Sequence, residues 1–151
     1  PDHATKVEMG GFYGWPIAYI GPHAEPRHKD VDMKKVESTL YPDVILGGHV
    51  GPLDIAFYTG TQFPAKYRGG MFVALHGSWN RSARQGYKIA FIPFKNRMAT
   101  AGPEDFVSGW MLAPDKKEVW GRPVGLLHMP GRSLLVSGDG GRKIWRISYK
   151  G

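Results

Sequence analysis

From residue 46 onward, short apolar runs follow one another at close intervals with glycine or proline between them, and this spacing limits the chain to an all-β fold. The runs fall at 53–58, 71–75, 87–94 and, more weakly, 106–112, which predicts four strands in one antiparallel meander. A second set at 124–129, 133–137 and 143–149 is one strand short of the first. The 21 glycines and 12 prolines are scattered, as many tight turns require, and a helical bundle is excluded. Ahead of these runs, Gly10-Gly11-Phe12-Tyr13-Gly14-Trp15-Pro16 reads as a bend, with proline pressing Trp15 toward an extended conformation. Residues 21–35 show neither period and read as a surface excursion.

The two sets resemble each other. Gly51-Pro52-Leu53 opens the first as Arg122-Pro123-Val124-Gly125 opens the second, and Met71-Phe72-Val73-Ala74-Leu75 matches Ser133-Leu134-Leu135-Val136-Ser137. A four-stranded meander repeated at such a period is the unit of a β-propeller. The short second set fits a propeller closed by a strand from elsewhere in the polypeptide, lying ahead of Pro1, because closure removes an open sheet edge. The expectation is one partial propeller domain over residues 1–151, about two to three blades, which needs the missing part from the rest of the polypeptide or from another chain.

A hydrophobic share of 42% is enough for a packed core, so disordered and fibrous classes are excluded. No run approaches the length of a transmembrane segment, and the first residues form no signal peptide. The chain has no cysteine, so it has neither disulfides nor thiolate metal sites. The net charge of +7 calls for an anionic partner, which composition alone leaves open among nucleic acid, lipid and a small polyanionic cofactor. The cations come singly or in pairs such as Lys34-Lys35 and Lys116-Lys117, which argues against nucleic acid.

No phosphate-binding loop, zinc-protease helix, nucleophile elbow or carboxylate pair is present, and the six histidines lack metal-ligand spacing. Candidate residues must therefore come from loops at strand ends, where propellers gather side chains around the axis. Gly47-Gly48-His49-Val50-Gly51-Pro52 allows close approach to a ligand, although its residues alone read more readily as a tight turn with a surface histidine. His76-Gly77-Ser78-Trp79-Asn80-Arg81 places imidazole, hydroxyl, indole, amide and guanidinium directly after a strand. There Arg81 suits a planar carboxylate and Trp79 a flat ligand, unless the arginine simply pairs with a surface acid. In Trp120-Gly121-Arg122-Pro123 a further arginine enters a strand. Tyr58, Phe63 and Tyr67 read as packing between blades, and Asp139-Gly140-Gly141 as a hairpin turn.

Taken in order, Phe12-Tyr13-Gly14-Trp15-Pro16, Gly51-Pro52-Leu53, Phe57-Tyr58-Thr59-Gly60, Tyr67-Arg68-Gly69-Gly70, His76-Gly77-Ser78-Trp79-Asn80-Arg81 and Gly121-Arg122-Pro123-Val124-Gly125 resemble the sorbosone dehydrogenases, relatives of soluble quinoprotein glucose dehydrogenase. The resemblance implies the C-terminal portion of a six-bladed, periplasmic or secreted propeller. Such enzymes bind pyrroloquinoline quinone (PQQ) with calcium beside it and oxidise a sugar hydroxyl by hydride transfer. It further implies that His49, Arg81 and Arg122 border the cofactor. The family's base histidine and acidic calcium loop lie upstream of the Tyr-Gly-Trp-Pro block, so no catalytic or metal residue is assigned here, and the chain alone is expected to be inactive. A propeller used only as a binding or scaffold module is the alternative.

Overall fold

The computed structural model describes residues 1–130 and 132–150. Strands dominate, beginning with β1 (Asp2–Ala4), the hairpin β2 (Ala18–Tyr19) and β3 (His23–Ala24), the helix α1 (Met33–Glu37) and β4 (Val44–Gly47). Next come β5 (Pro52–Phe57), a 3-10 turn at Ala65–Tyr67, β6 (Met71–Leu75), β7 (Lys88–Ile92), the small hairpin β8 (Phe94–Lys95) and β9 (Met98–Ala99), and β10 (Glu104–Val107). The last three strands are β11 (Pro123–His128), β12 (Leu134–Gly138) and β13 (Lys143–Ile147).

The first predicted set forms a four-stranded antiparallel sheet in the order β10-β7-β6-β5, and the second a three-stranded sheet in the order β11-β12-β13. Strand β6 is buried at all five residues, as its unbroken apolar run requires when both faces of the sheet are covered. One face packs on β4 through Val44, Leu46, Val50, Met71, Val73, Leu75, Ala90 and Ile92. The other meets the three-stranded sheet through Phe72, Ala74, Ile89, Phe91, Leu134 and Val136. The four-stranded sheet's side of this interface is aromatic: Phe72 lies 4.3 Å from Phe106 and 5.5 Å from Phe91, centroid to centroid. Each such ring removed from water contributes about 1.5–3 kcal/mol, so covering these rings with Leu134 and Val136 stabilises the packing of one sheet on the other.

Tyr58, Phe63 and Tyr67 sit in that seam, as expected of packing residues. Tyr58 Oη accepts from the Phe63 amide at 2.9 Å, and the ring meets His128 of β11 edge-on at 5.4 Å. A polar tie crosses the same interface: the Leu126 amide donates to Asp54 Oδ2 at 2.7 Å, fastening β11 to β5. On the opposite face of β5, Leu53, Ile55 and Phe57 are each about half exposed.

Two local expectations differ from the structure, and one pairing has no counterpart among them. The fourth strand is β10 at Glu104–Val107 and not 106–112. Phe106 must face the Phe72 ring, and at Gly109 (φ +110°) the chain leaves the sheet, so residues 110–112 form a side loop closed by a Met111–Val119 bridge. Residues 21–35 hold part of a hairpin and the start of α1, capped by Asp32 Oδ1 on the Lys34 amide at 3.0 Å. Two-residue strands and a helix with one buried residue, Val36, are too short to display a period. Finally, β1 pairs with β4 across a long excursion that no local pattern announces. The bend at Trp15-Pro16 contains a cis peptide, and Trp15 is exposed.

Candidate functional site

Antiparallel pairing brings Pro52 opposite Leu75 in the four-stranded sheet and Pro123 opposite Gly138 in the three-stranded one. The loop before β5, the loop between β6 and β7, the entry to β11 and the β12–β13 turn therefore meet at one end of the two sheets. All three arginine and histidine candidates lie there. The contacts that assemble them are backbone first: the His76 amide donates to Gly51 O and the Gly77 amide to Val50 O, both at 2.8 Å.

Glycine is required at Gly77 for a steric reason. Its φ is +96°, and a Cβ there would lie 2.3 Å from the Tyr87 ring, so the loop can rest directly on that ring only without a side chain. Tyr87 is fully buried, and its hydroxyl is the hub of the site. It donates to Ser78 O and accepts from Arg84 Nη1 at 2.8 Å and Arg122 Nη2 at 3.0 Å. Two guanidinium groups thus converge on one buried phenol, which can accept them because its own proton is given to a carbonyl.

Arg122 belongs to the three-stranded sheet but is held by the four-stranded one. Its Nη2 reaches Gly77 O at 3.3 Å and Ser78 O at 3.2 Å, and its guanidinium carbon lies 5.2 Å from the Tyr87 ring centroid. Nε and Nη1 have no protein acceptor among the described residues, leaving part of the fork available to a ligand. The stem runs past Gly140, where a Cβ would come within 3.1 Å of Arg122 Cγ. Trp145 fills the space beneath Gly121, fixing the strand entry from below.

Arg81 is exposed, and its one side-chain hydrogen bond among the described residues is a long contact from Nε to Ala83 O at 3.4 Å. Its Nη1 lies over Gly48, 3.2 Å from where a Cβ would stand, and Gln85 Nε2 donates to Gly48 O. The loop carrying His49 and the loop carrying Arg81 are thereby neighbours. His49 itself is exposed with φ +59°, in the left-handed region. Trp79 is 76% exposed and offers an uncovered indole face at the same end.

Two contributors escape a reading of the sequence. Tyr87 reads as an ordinary strand residue, and Asp139 as a hairpin turn, which it also is. Asp139 receives His76 Nε2 at 3.0 Å, linking the two sheets across 63 residues of sequence. The proton lies on Nε2 in this pair because an ionised carboxylate only accepts. The imidazole bond holds the Asp139 carboxyl below its ordinary range, and the nearby Arg122 charge pushes the same way. No local signal could have joined His76 to Asp139, since only the packing of one sheet on the other makes them adjacent.

Arginine donors left without a protein acceptor beside a glycine-lined edge suit the carboxylates of a flat polyanion. A cation has no comparable place: among the described residues, no group of three or more His, Cys, Asp or Glu could hold a metal ion.

Comparison with known proteins gives this arrangement a context. A Borreliella burgdorferi protein of uncharacterized function is 42% identical over 106 residues, covering 70% of this chain and 27% of that protein. A pyrroloquinoline quinone-dependent pyranose dehydrogenase of Coprinopsis cinerea is 42% identical over 56 residues, 37% of this chain and 7% of the relative. Among solved structures, a Trichoderma reesei protein of carbohydrate-active enzyme family AA12 superposes with a TM-score of 0.69 at 22% identity, covering 89% of this chain and 38% of that one. The holo PQQ domain of C. cinerea pyranose dehydrogenase superposes with a TM-score of 0.55 at 29% identity, covering 74% of this chain and 30% of the domain. This chain thus spans about a quarter of the first curated relative and 30–38% of these two solved chains. The antiparallel meanders are those of a β-propeller. With residues 21–150 matched by the TrAA12-like family model, the chain belongs to the TrAA12-like family.

Proposed function

We propose that this chain is the C-terminal portion, about two to three blades, of a six-bladed PQQ-dependent sugar dehydrogenase of periplasmic or secreted location. Arg81, Arg122 and His49 form part of its cofactor cradle. The observation that supports this most directly is the pair Arg81 and Arg122, brought from two sheets to one end with donors left over after their protein contacts. In this reading Arg122 grips a carboxylate from a fixed position, Arg81 adjusts to a second, His49 lines the edge, and Trp79 shields a ring face. When bound, PQQ supplies the two-electron acceptor for a sugar hydroxyl.

Among the described residues no group of three or more His, Cys, Asp or Glu provides for calcium, and the resemblance assigns the base to the portion upstream. Both belong to the rest of the propeller, from the same polypeptide or another chain, and the portion described here is inactive by itself. The half-exposed face of β5 supports that need, because Leu53, Ile55 and Phe57 lack the cover that an adjoining blade gives.

The test is a titration of the chain with PQQ and calcium, with and without the remaining portion of the propeller, followed by quinone absorbance and sugar-dependent dye reduction. Quinone binding with activity only in the completed mixture is the expected result, and the double variant Arg81→Ala/Arg122→Ala should abolish the binding. No quinone binding even in the completed mixture would overturn the reading and leave a propeller that serves as a binding or scaffold module.

A further inference from the structure

The tie between His76 and Asp139 has no part in the cradle as described so far, yet it joins the two loops between which Arg122 is stretched. On one side, Gly77 O and Ser78 O, immediately after His76, accept from Arg122 Nη2. On the other, Gly140, immediately after Asp139, carries the Arg122 stem, with its Cβ position 3.1 Å from Cγ and 3.4 Å from Cδ. A guanidinium pinned at its tip by one loop and along its stem by another points where the separation of those loops dictates. His76 Nε2 to Asp139 Oδ1, at 3.0 Å, is the side-chain bond that sets this separation.

We propose that His76 and Asp139 are positioning residues for Arg122: their bond holds the β12–β13 turn against the loop after β6 and so aims the unspent guanidinium nitrogens at a carboxylate of the ligand. The inference rests on the PQQ reading and deepens it by naming what orients the cation. The Asp139 side chain is 64% exposed and that of His76 20%, so neither serves chiefly to fill the core. The bond also closes a contact between residues of different sheets, where a turn anchored only at its strand ends would drift. Outer partners that orient a ligand-binding side chain commonly contribute tenfold or more to affinity.

The experiment uses the full chain together with the rest of the propeller and two readouts. The first is the NMR relaxation of the Arg122 Nε–Hε group without ligand. The second is the dissociation constant for PQQ in wild type, Asp139→Ala, Asp139→Asn, Arg122→Ala and the double variant Asp139→Ala/Arg122→Ala. Expected are a more mobile Arg122 and an affinity about tenfold weaker in Asp139→Ala, with most of both restored in Asp139→Asn, whose amide oxygen still accepts from the imidazole. In the Arg122→Ala background, Asp139→Ala should then cost nothing further, which a merely structural role would not produce. An unchanged Arg122 relaxation in Asp139→Ala, or additive losses in the double variant, overturns the positioning role while leaving the PQQ reading intact. Undiminished binding in Arg122→Ala overturns the place of Arg122 in the cradle and the inference with it, whereas absence of PQQ binding in the wild type overturns the PQQ reading itself.

Discussion

Replacing Tyr87 by phenylalanine removes a single oxygen from the centre of the site while keeping the ring on which Gly77 and the Arg122 guanidinium rest. The hydroxyl donates to Ser78 O and accepts from two guanidinium groups at 2.8 and 3.0 Å, with the residue 1% exposed. A neutral hydrogen bond contributes about 0.5–1.5 kcal/mol and one to a charged group about 1.5–3 kcal/mol. The full sum overstates the loss, because Arg84 and Arg122 each keep a bond to Ser78 O, at 3.0 and 3.2 Å. A net destabilisation of about 1.5–2.5 kcal/mol is expected, and at about 2–4 °C per kcal/mol for a domain of this size Tm falls by about 3–10 °C. Differential scanning calorimetry of wild type and Tyr87→Phe measures it. Tyr58→Phe is the matched control: it strips the acceptor of the Phe63 amide in the same core at a distance from Arg122, so it should lower Tm by a similar amount and leave PQQ affinity alone. A Tm within about 1 °C of wild type for Tyr87→Phe would refute the claim that the phenol is the hub of the arginine pair.

Two further perturbations test the architecture. Gly70→Ala puts a Cβ 2.2 Å from the Phe91 ring and 2.9 Å from Ile92 O, so the β6 entry must move and stability should fall by about 2 kcal/mol or more, read by urea unfolding; a neutral result would contradict the packing of the aromatic seam. For His128, burial lowers the imidazole pKa below its ordinary value, and Nε2 has no hydrogen-bond partner among the described residues. Over the interval from that lowered value up to about 6.5, the unfolded chain binds more protons than the folded one, so this histidine makes stability rise with pH there. His128→Phe should flatten that stretch of a stability-against-pH curve, whereas an unchanged slope would show that another group is responsible.

The readable part of this fold is where the local period matches the burial. Strand β6 was legible because both its faces are covered, which leaves an unbroken apolar run, and the β12–β13 turn because Asp139-Gly140-Gly141 is hairpin chemistry. Strand β10 was legible as an element but misplaced, since Phe106 and Trp110 are equally apolar and only the Phe72 ring and the turn at Gly109 decide which of them lies in the sheet. The pairing of β1 with β4 carried no signal, because three residues cannot show an alternation and their partners lie beyond a long excursion.

For the site, the legible features were the residues with spare chemistry, and the hidden ones were those that consume it. Arg81, Arg122 and His49 stand out in sequence because charge and glycine beside a strand end have no obvious packing use. Tyr87 and Asp139 do have ordinary uses, as a strand aromatic and a turn acid, and acquire their second role only through contacts 35 and 63 residues away. The same separation explains why the site spans two sheets. A cation placed by its own sheet alone would follow every fluctuation of one strand end. Arg122 rooted in one sheet and bonded to carbonyls of the next moves only if the sheets part, and the aromatic seam between Phe72, Phe91 and Leu134 resists that. Precision at the edge is therefore set by the placement of the core rings, and a variant that displaces them, such as Gly70→Ala, should weaken carboxylate binding though it touches no site residue, whereas Tyr58→Phe, which keeps its ring in place, should not.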